Sequence, residues 1–212
     1  MKDLVWYASY GSNLLKNRFL CYICGGTPDG TDKNYLGCSD KTEPIEDKPI
    51  ILPYSIYFSK QSPIWENLGV AFIKPLRDED SRTFGRMYLI SKAQFIELVH
   101  QENAIDPVNS IIHIDFTNLI LNGEIKIPAH WYSRIIYLGD EKGHPIFTFT
   151  SGWDDSEIIL RPPGEKYLRT IIKGIKETYN MVNEEITQYL IALPGIKGFI
   201  SEQDIDTIVT ST

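Results

Sequence analysis

Blocks of apolar residues along the chain predict a series of short strands with a few helices between and after them. Residues 4–10 form an almost continuously apolar and aromatic run, which is typical of a central strand covered on both faces. A hairpin is predicted around the turn GDEKG. Its two strands are residues 133–138 and 145–150, and the remaining strand candidates are residues 49–60, 68–74, 83–90, 110–116 and 124–127.

Helical spacing of apolar residues appears at several places between and after these strands. Residues 14–20 predict a short helix, and Ser91 with Gln94 has the spacing of a capping box that opens a longer one, SKAQFIELVHQEN. Two further helices are predicted within residues 164–180 and 183–193. Strands and helices do not alternate strictly, so the pattern indicates an α+β fold with a mixed or closed sheet and helices against it.

Composition excludes several classes of function. The 212 residues carry a net charge of −7 with no long basic tract, so we expect no nucleic-acid partner. No secretory signal and no run of about 18 apolar residues is present, which predicts a cytoplasmic protein without a membrane partner. The three cysteines, Cys21, Cys24 and Cys38, are an odd number, which argues against a disulfide framework. Cys21 and Cys24 have the spacing of metal ligands or of a redox pair, which is the alternative to incidental thiols, but a zinc site needs four ligands and only Cys38 follows, so we expect no metal and no cofactor.

The stretch WYASYGSNL changes abruptly from strand-like to turn-like chemistry. If the strand ends at Tyr10, Gly11 permits a tight turn, and Ser12 or Asn13 caps a helix that begins near Leu14. Backbone N–H groups at such a corner are able to bind an anion. The alternative is an ordinary strand-to-helix junction at which nothing binds.

Glu102 lies in the last turn of the helix that Ser91 opens. Phe95, Leu98 and Val99 define the inward face, and Glu102 falls on the same face because it lies seven, four and three positions after them. Burial and the negative end of the helix dipole both raise the pKa of a carboxyl group, which suits a general acid and base. The alternative is that the helix ends at Asn103 and Glu102 turns to water.

Together these features resemble the γ-glutamylcyclotransferase-like family. Tyr10-Gly11-Ser12-Asn13-Leu14 looks like the YGSN loop of that family, and FGRMYLISKAQFIELVHQENA resembles its strand-helix unit, whose catalytic glutamate falls on Glu102. PGEKYL, followed by IIKGIKE, is similar to a late Pro-x-x-x-Tyr segment and helix. The resemblance implies an α+β fold with a β-barrel-like mixed sheet, flanking helices and a cavity at the YGSN end. It covers residues 1–180 as one domain and leaves residues 181–212 as a helical extension packed on it.

The resemblance also implies an enzyme that releases the γ-glutamyl group of a small molecule as 5-oxoproline. Glu102 would take a proton from the substrate's α-amine and return it to the departing amine, with no cofactor. The backbone of Gly11, Ser12 and Asn13 would hold the glutamyl group. The substrate-binding set implied in this way is Tyr7, Tyr10, Gly11, Ser12, Asn13, Leu14 and Tyr167, in which each tyrosine has plain core packing as its alternative.

Two alternatives to that reaction stay open. The chain could be a binding module for a small carboxylate that performs no chemistry, or a related amide-cleaving or acyl-transferring enzyme. The polar loop at residues 25–48 is longer than a compact core of this family needs, and the sequence does not select among γ-glutamyl amino acids, γ-glutamyl amines and glutathione. It gives no indication of oligomeric state.

Overall fold

The computed structural model describes residues 3–29, 31–105 and 112–212. Within these ranges lie eight strands and six α-helices, in an order that does not alternate. The strands are β1 (Leu4–Ser9), β2 (Asp47–Leu52), β3 (Ile56–Ser62), β4 (Leu68–Ile73), β5 (Thr83–Ser91), β6 (Glu124–Lys126), β7 (Arg134–Glu141) and β8 (His144–Thr150). The helices are α1 (Lys16–Cys24), α2 (Lys92–Glu102), α3 (Phe116–Asn122), α4 (Glu165–Thr178), α5 (Asn183–Ile191) and α6 (Glu202–Thr210).

Six strands form one mixed sheet in the order β2-β5-β1-β8-β7-β6. β1 pairs in parallel with β8, whereas its pairing with β5 and the β7 and β8 hairpin are antiparallel. The predicted α+β fold with a mixed sheet and flanking helices is therefore confirmed. The sheet is open, because β2 and β6 are its edges and β3 pairs with β4 in a separate hairpin, so the described strands do not close into a barrel.

β1 lies in the middle of the sheet and is buried on both faces, as its continuous apolar sequence predicts. Val5 and Tyr7 face a core built with α1, α2 and α3, and Trp6 and Ala8 face a second core built with α4, α5, α6 and the β3 and β4 hairpin. None of these four side chains is more than 4% exposed. Removing such side chains from water stabilises the fold by roughly 1.5–3 kcal/mol for each large one.

Two strand predictions are wrong. Residues 49–60 form two strands and not one, because Pro53 lacks a backbone N–H at the point where β2 ends, and the chain then crosses from one sheet to the other. Of the strand predicted at residues 110–116, residues 110 and 111 lie outside the described part. Residues 112–115 are not in a strand, and Asp115 caps α3 by accepting hydrogen bonds of 3.0 Å from the N–H groups of Thr117 and Asn118.

The last two helices complete the second core. Ile186 and Leu190 of α5, together with Ile205 and Val209 of α6, are fully buried in the same cluster as α4. Lys176 of α4 also donates to the carbonyl oxygen of Val209 at 2.9 Å. The division of the chain at residue 180 stays a prediction. None of the helices in the described ranges has the length and apolar character needed to cross a bilayer.

Candidate active site

The candidate site forms where the carboxyl ends of β1 and α2 meet. Ser91 ends β5 and caps α2 through the predicted capping box with Gln94, so α2 begins beside the start of β1, where the N–H of Lys92 donates to Asp3 at 2.9 Å. Because β5 runs antiparallel to β1, α2 turns back along β1. Eleven helical residues span about 16 Å and six strand residues about 20 Å, which brings Glu102 close to the end of β1.

The segment after β1 is a single 3₁₀ turn over Ser12–Leu14 and not the start of the α-helix. α1 begins at Lys16 with Leu15 as its N-cap and no side-chain cap, so the prediction that Ser12 or Asn13 caps a helix near Leu14 is wrong. Gly11 has φ of −113°, which does not require glycine. It is needed because a Cβ there would lie 2.9 Å from the Tyr167 hydroxyl oxygen.

Asn13 and Glu102 are in direct contact. The Asn13 Nδ2 donates to Glu102 Oε1 at 2.7 Å and lies 3.4 Å from the Tyr7 hydroxyl oxygen. Glu102 is partly exposed because it borders a cavity, yet the surrounding protein removes most of its water. Burial raises the pKa of Glu102 above its ordinary value, and the positive charge of Arg18 and the Asn13 hydrogen bond lower that pKa by less. The Glu102 carboxyl group therefore faces the cavity, and its role in proton transfer stays a prediction.

Most of the residues expected at the site line one cavity of about 220 Å³. Leu14 does not line it, since its side chain is 1% exposed in the core and its carbonyl oxygen lies 3.4 Å from donors on Arg86 and Tyr88. The expected residues that do line the cavity are Tyr7, Tyr10, Gly11, Ser12, Asn13, Glu102 and Tyr167.

The three expected tyrosines border the cavity and also pack in the core. The Tyr7 ring stacks on Phe149 with 5.1 Å between centroids, and the Tyr10 hydroxyl donates to the Phe149 carbonyl at 2.8 Å. The Tyr167 hydroxyl accepts from the Ala71 N–H at 3.1 Å, and burial raises the pKa of Tyr167 to about 12. These hydroxyls stay protonated near neutral pH and act as neutral hydrogen-bonding groups.

Sequence reasoning missed a further group of polar and aromatic residues that line the cavity. Arg18 of α1 lines the cavity and is only 4% exposed, and its Nη2 donates to the hydroxyls of Tyr22 and Tyr35 at 3.2 and 2.7 Å. Arg18 and Tyr22 are four residues apart on one helix face, a signal that was available in the sequence. Tyr35 and Lys33 come from the long polar loop, whose contact with the cavity no local pattern reveals.

Two side chains at the cavity keep polar atoms that no described residue satisfies. These atoms are Oδ1 of Asn13, an acceptor, and Nε and Nη1 of Arg18, which are donors. Within the described ranges, His, Cys, Asp and Glu side chains nowhere gather in a group of three or more that could hold a metal ion.

Comparison with known proteins finds similarity both in sequence and in structure. No protein-family model matches the chain. Histone deacetylase 5 from Arabidopsis thaliana is 36% identical over 198 residues, which cover 88% of this chain. The chain spans about 30% of the length of that relative.

Solved structures match this chain over nearly its whole length. A solved structure of a gamma-glutamyl cyclotransferase has a TM-score of 0.52 at 15% identity, with 99% of each chain covered. The crystal structure of an uncharacterized protein from Homo sapiens has a TM-score of 0.51, also at 15% identity and with 99% of each chain covered. At this identity the likeness shows the fold alone. The chain has the γ-glutamylcyclotransferase-like fold that the sequence resemblance implied.

Proposed function

We propose that this chain, which has the γ-glutamylcyclotransferase-like fold, releases 5-oxoproline from a small γ-glutamyl compound with Glu102 as general base and acid. One observation carries the proposal: the hydrogen bond between Asn13 and Glu102 at the wall of a cavity. Those two residues belong to separate motifs, 89 positions apart, whose combination suggested the reaction from sequence. Their contact supports a common site.

In the proposed reaction the free α-amine of the substrate attacks its own γ-carbonyl carbon. The new N–C bond closes the five-membered ring, and the Glu102 carboxylate accepts the proton that the nitrogen releases. Glu102 then returns this proton to the amide nitrogen as the C–N bond breaks, so the products are 5-oxoproline and a free amine. The raised pKa of Glu102 suits both steps, since the group must gain and lose the proton near neutral pH.

The size of the cavity supports a small substrate. A volume of about 220 Å³ accommodates a glutamyl group with a short attached amine, whereas a large ligand would have to extend beyond it. Attack within one bound molecule needs no enzyme nucleophile. Holding the amine against the carbonyl accounts for much of the rate in such a reaction.

The substitution Glu102→Gln tests the proposal directly. It keeps the size and hydrogen-bonding reach of the side chain but cannot accept the proton, so we expect 5-oxoproline release to fall by about 10²–10⁴-fold. Release is measured by chromatography on a panel of γ-glutamyl amino acids, γ-glutamyl amines and glutathione. Glu97→Gln is the matched control, because Glu97 lies on the same helix but bonds the Ser39 N–H outside the cavity. It should retain activity.

Two outcomes contradict the proposal. Full activity of the Glu102→Gln variant would remove Glu102 from the chemistry. Release of free glutamate in place of 5-oxoproline would instead indicate hydrolysis of the amide, which is the related amide-cleaving reaction.

The second candidate function is a binding module that holds the same ligands without turnover. The similarity to a stretch that makes up 30% of a protein named Histone deacetylase 5 favours it, because a domain within a protein named for another reaction can serve to bind a ligand. Calorimetry with L-glutamate, 5-oxoproline and γ-glutamyl amines distinguishes the two candidates. Binding without any 5-oxoproline release by the wild-type chain would favour the module.

A further inference from the structure

Arg18 is a buried cation with incomplete pairing. Its side chain is 4% exposed, none of the ion pairs among the described residues includes it, and its Nε and Nη1 lack hydrogen-bond partners there. A buried charge is costly unless it is paired. An arginine stays protonated at any ordinary pH, so loss of its proton does not relieve this cost. Arg18 lines the cavity, and its two unused donors are buried beside it, which points to an anionic ligand there.

An aromatic frame fixes the position of the Arg18 guanidinium. Its central carbon lies 5.0 Å from the Tyr22 ring centroid, 4.7 Å from that of Tyr35 and 5.6 Å from that of Trp65. The Nη2 is used by the hydroxyls of Tyr22 and Tyr35, which leaves Nε and Nη1 free. These two free N–H groups lie on different edges of the guanidinium, so a carboxylate would accept one charge-assisted hydrogen bond, from Nε or from Nη1, and not a bidentate pair.

Asn13 lacks a hydrogen-bond donor, whereas Arg18 lacks acceptors. Because Nδ2 donates to Glu102, the unsatisfied Oδ1 of Asn13 is an acceptor beside a carboxyl group. An acceptor next to a carboxylate suits an amine. The cavity therefore offers acceptors for an amine and donors for a carboxylate, which is the pair of groups on the α-carbon of an amino acid.

We propose that Arg18 binds the α-carboxylate of the γ-glutamyl group, while Asn13 Oδ1 and Glu102 receive its α-amine. This inference rests on the proposed function for the identity of the ligand. It makes Arg18 the residue that selects γ-glutamyl compounds over otherwise identical amides without an α-carboxylate. The contact also orients the α-amine toward the γ-carbonyl.

A matched pair of ligands isolates this contact. γ-L-Glutamyl-L-alanine and 4-aminobutanoyl-L-alanine differ only in the α-carboxylate, and both have an amine that closes a five-membered ring. We expect the first to bind about 10–100-fold more tightly when Arg18 is present. Dissociation constants are measured by calorimetry in the Glu102→Gln background, and the same preference is measured as a ratio of kcat/KM with Glu102 intact.

Three substitutions complete the experiment. Arg18→Met should abolish the preference between the two ligands, and Arg18→Lys should restore part of it, because lysine keeps the charge without the planar fork. Lys33→Met is the matched control, since it removes the other described cation at the cavity, whose Nζ lies over the Tyr35 ring. Lys33→Met should lower the affinity for both ligands equally and leave the ratio of the two affinities unchanged.

A thermal melt separates a binding role from a structural one. Arg18→Met removes a buried charge with two unsatisfied donors, but it also removes two hydrogen bonds and the contacts with three rings. If Arg18 is kept for the ligand, these effects should largely offset, and the melting temperature should change little. The Tyr22 and Tyr35 hydroxyls are 3.5 Å apart and can then bond each other. A marked fall in melting temperature without loss of the ligand preference would overturn the inference.

The failure of this inference is distinguishable from failure of the proposed function. The role of Arg18 would be overturned if the chain with Arg18 bound both ligands with equal affinity. It would also be overturned if Arg18→Met and Lys33→Met changed the ratio of the two affinities equally. Either result would count against Arg18 even if 5-oxoproline is released. A ligand preference that depends on Arg18, without any turnover, would support the binding role of Arg18 and contradict the proposed enzymatic activity.

Discussion

At the scale of single residues, the burial that suits Glu102 to proton transfer also opposes folding. Burial raises the pKa of Glu102, so the folded chain holds this proton to a higher pH than the unfolded chain. Between the ordinary and the raised pKa the folded state binds more protons than the unfolded state. The free energy of unfolding therefore falls as the pH rises through this interval.

We expect the Glu102→Gln variant to be more stable than the wild type at about pH 8, and this gain to disappear near pH 4, where Glu102 is protonated in both states. Glutamine carries no charge at either pH, so it avoids the cost of burying a carboxylate. Thermal unfolding of both proteins at the two pH values measures the difference. A gain of equal size at both pH values would show that the charge of Glu102 is not its cause.

Helical periodicity predicted the inward orientation of Glu102, because the spacing alone places residue 102 on the same face as Phe95, Leu98 and Val99. The same reasoning could not find what completes its surroundings. Arg18 would be assigned to solvent by its charge, and its burial depends on Tyr35, which a long loop without periodicity brings to it. Contacts of this kind arise from tertiary packing and leave no local pattern in the sequence.

At the scale of secondary-structure elements, α4 supports the turn that carries Asn13. A Cβ at Gly174 would lie 2.5 Å from the Leu14 Cβ and 2.6 Å from the Leu15 backbone nitrogen. Such distances leave no room for a side chain. The helix and the 3₁₀ turn therefore pack backbone to backbone.

We expect Gly174→Ala to lower the free energy of unfolding by about 1–3 kcal/mol, which exceeds the gain of about 0.5–1 kcal/mol that alanine brings to a helix. It should also reduce 5-oxoproline release by about 100-fold, because displacement of the turn moves Asn13 relative to Glu102. Chemical denaturation and the activity assay measure the two effects. Lys173→Ala, an exposed neighbour on the same helix, should change neither. A Gly174→Ala variant as stable and active as this control would refute the role of the close contact.

Strands and helices could be predicted where the local sequence pattern alone determines the secondary structure. β1 and α2 follow from a continuous apolar run and a capping box, and both are present. The prediction failed at residues 49–60, where two strands of different sheets follow each other closely, since period and composition do not show which partner a strand takes. It also failed for the beginning of α1, because a 3₁₀ turn and an α-helix share the same start signals.

At the scale of the whole molecule, the last two helices belong to the core beneath the site. Ile186, Leu190, Ile205 and Val209 each contribute about 1.5–3 kcal/mol by burial, against a total stability of about 5–15 kcal/mol for an ordinary domain. We expect a chain of residues 1–180 to lack fixed tertiary structure. Near-ultraviolet circular dichroism measures this.

A shorter truncation is the control for this experiment. Residues 1–210 lose only Ser211 and Thr212, whose side chains bond the half-buried Arg169 side chain at the surface, and this chain should fold normally. Cooperative unfolding of residues 1–180 would instead show that the extension is dispensable and that a self-sufficient domain ends near residue 180.

The central place of β1 has a consequence for biosynthesis. Tyr7 pairs with Tyr88 on one side and with Phe147 on the other, so both neighbours of this strand leave the ribosome long after it does. Until then an aromatic, strongly β-forming segment has both of its backbone edges open, which is a known risk for aggregation during synthesis. We therefore expect the nascent chain to need protection at β1, the strand that ends at the candidate site, until β5 and β8 have been synthesised.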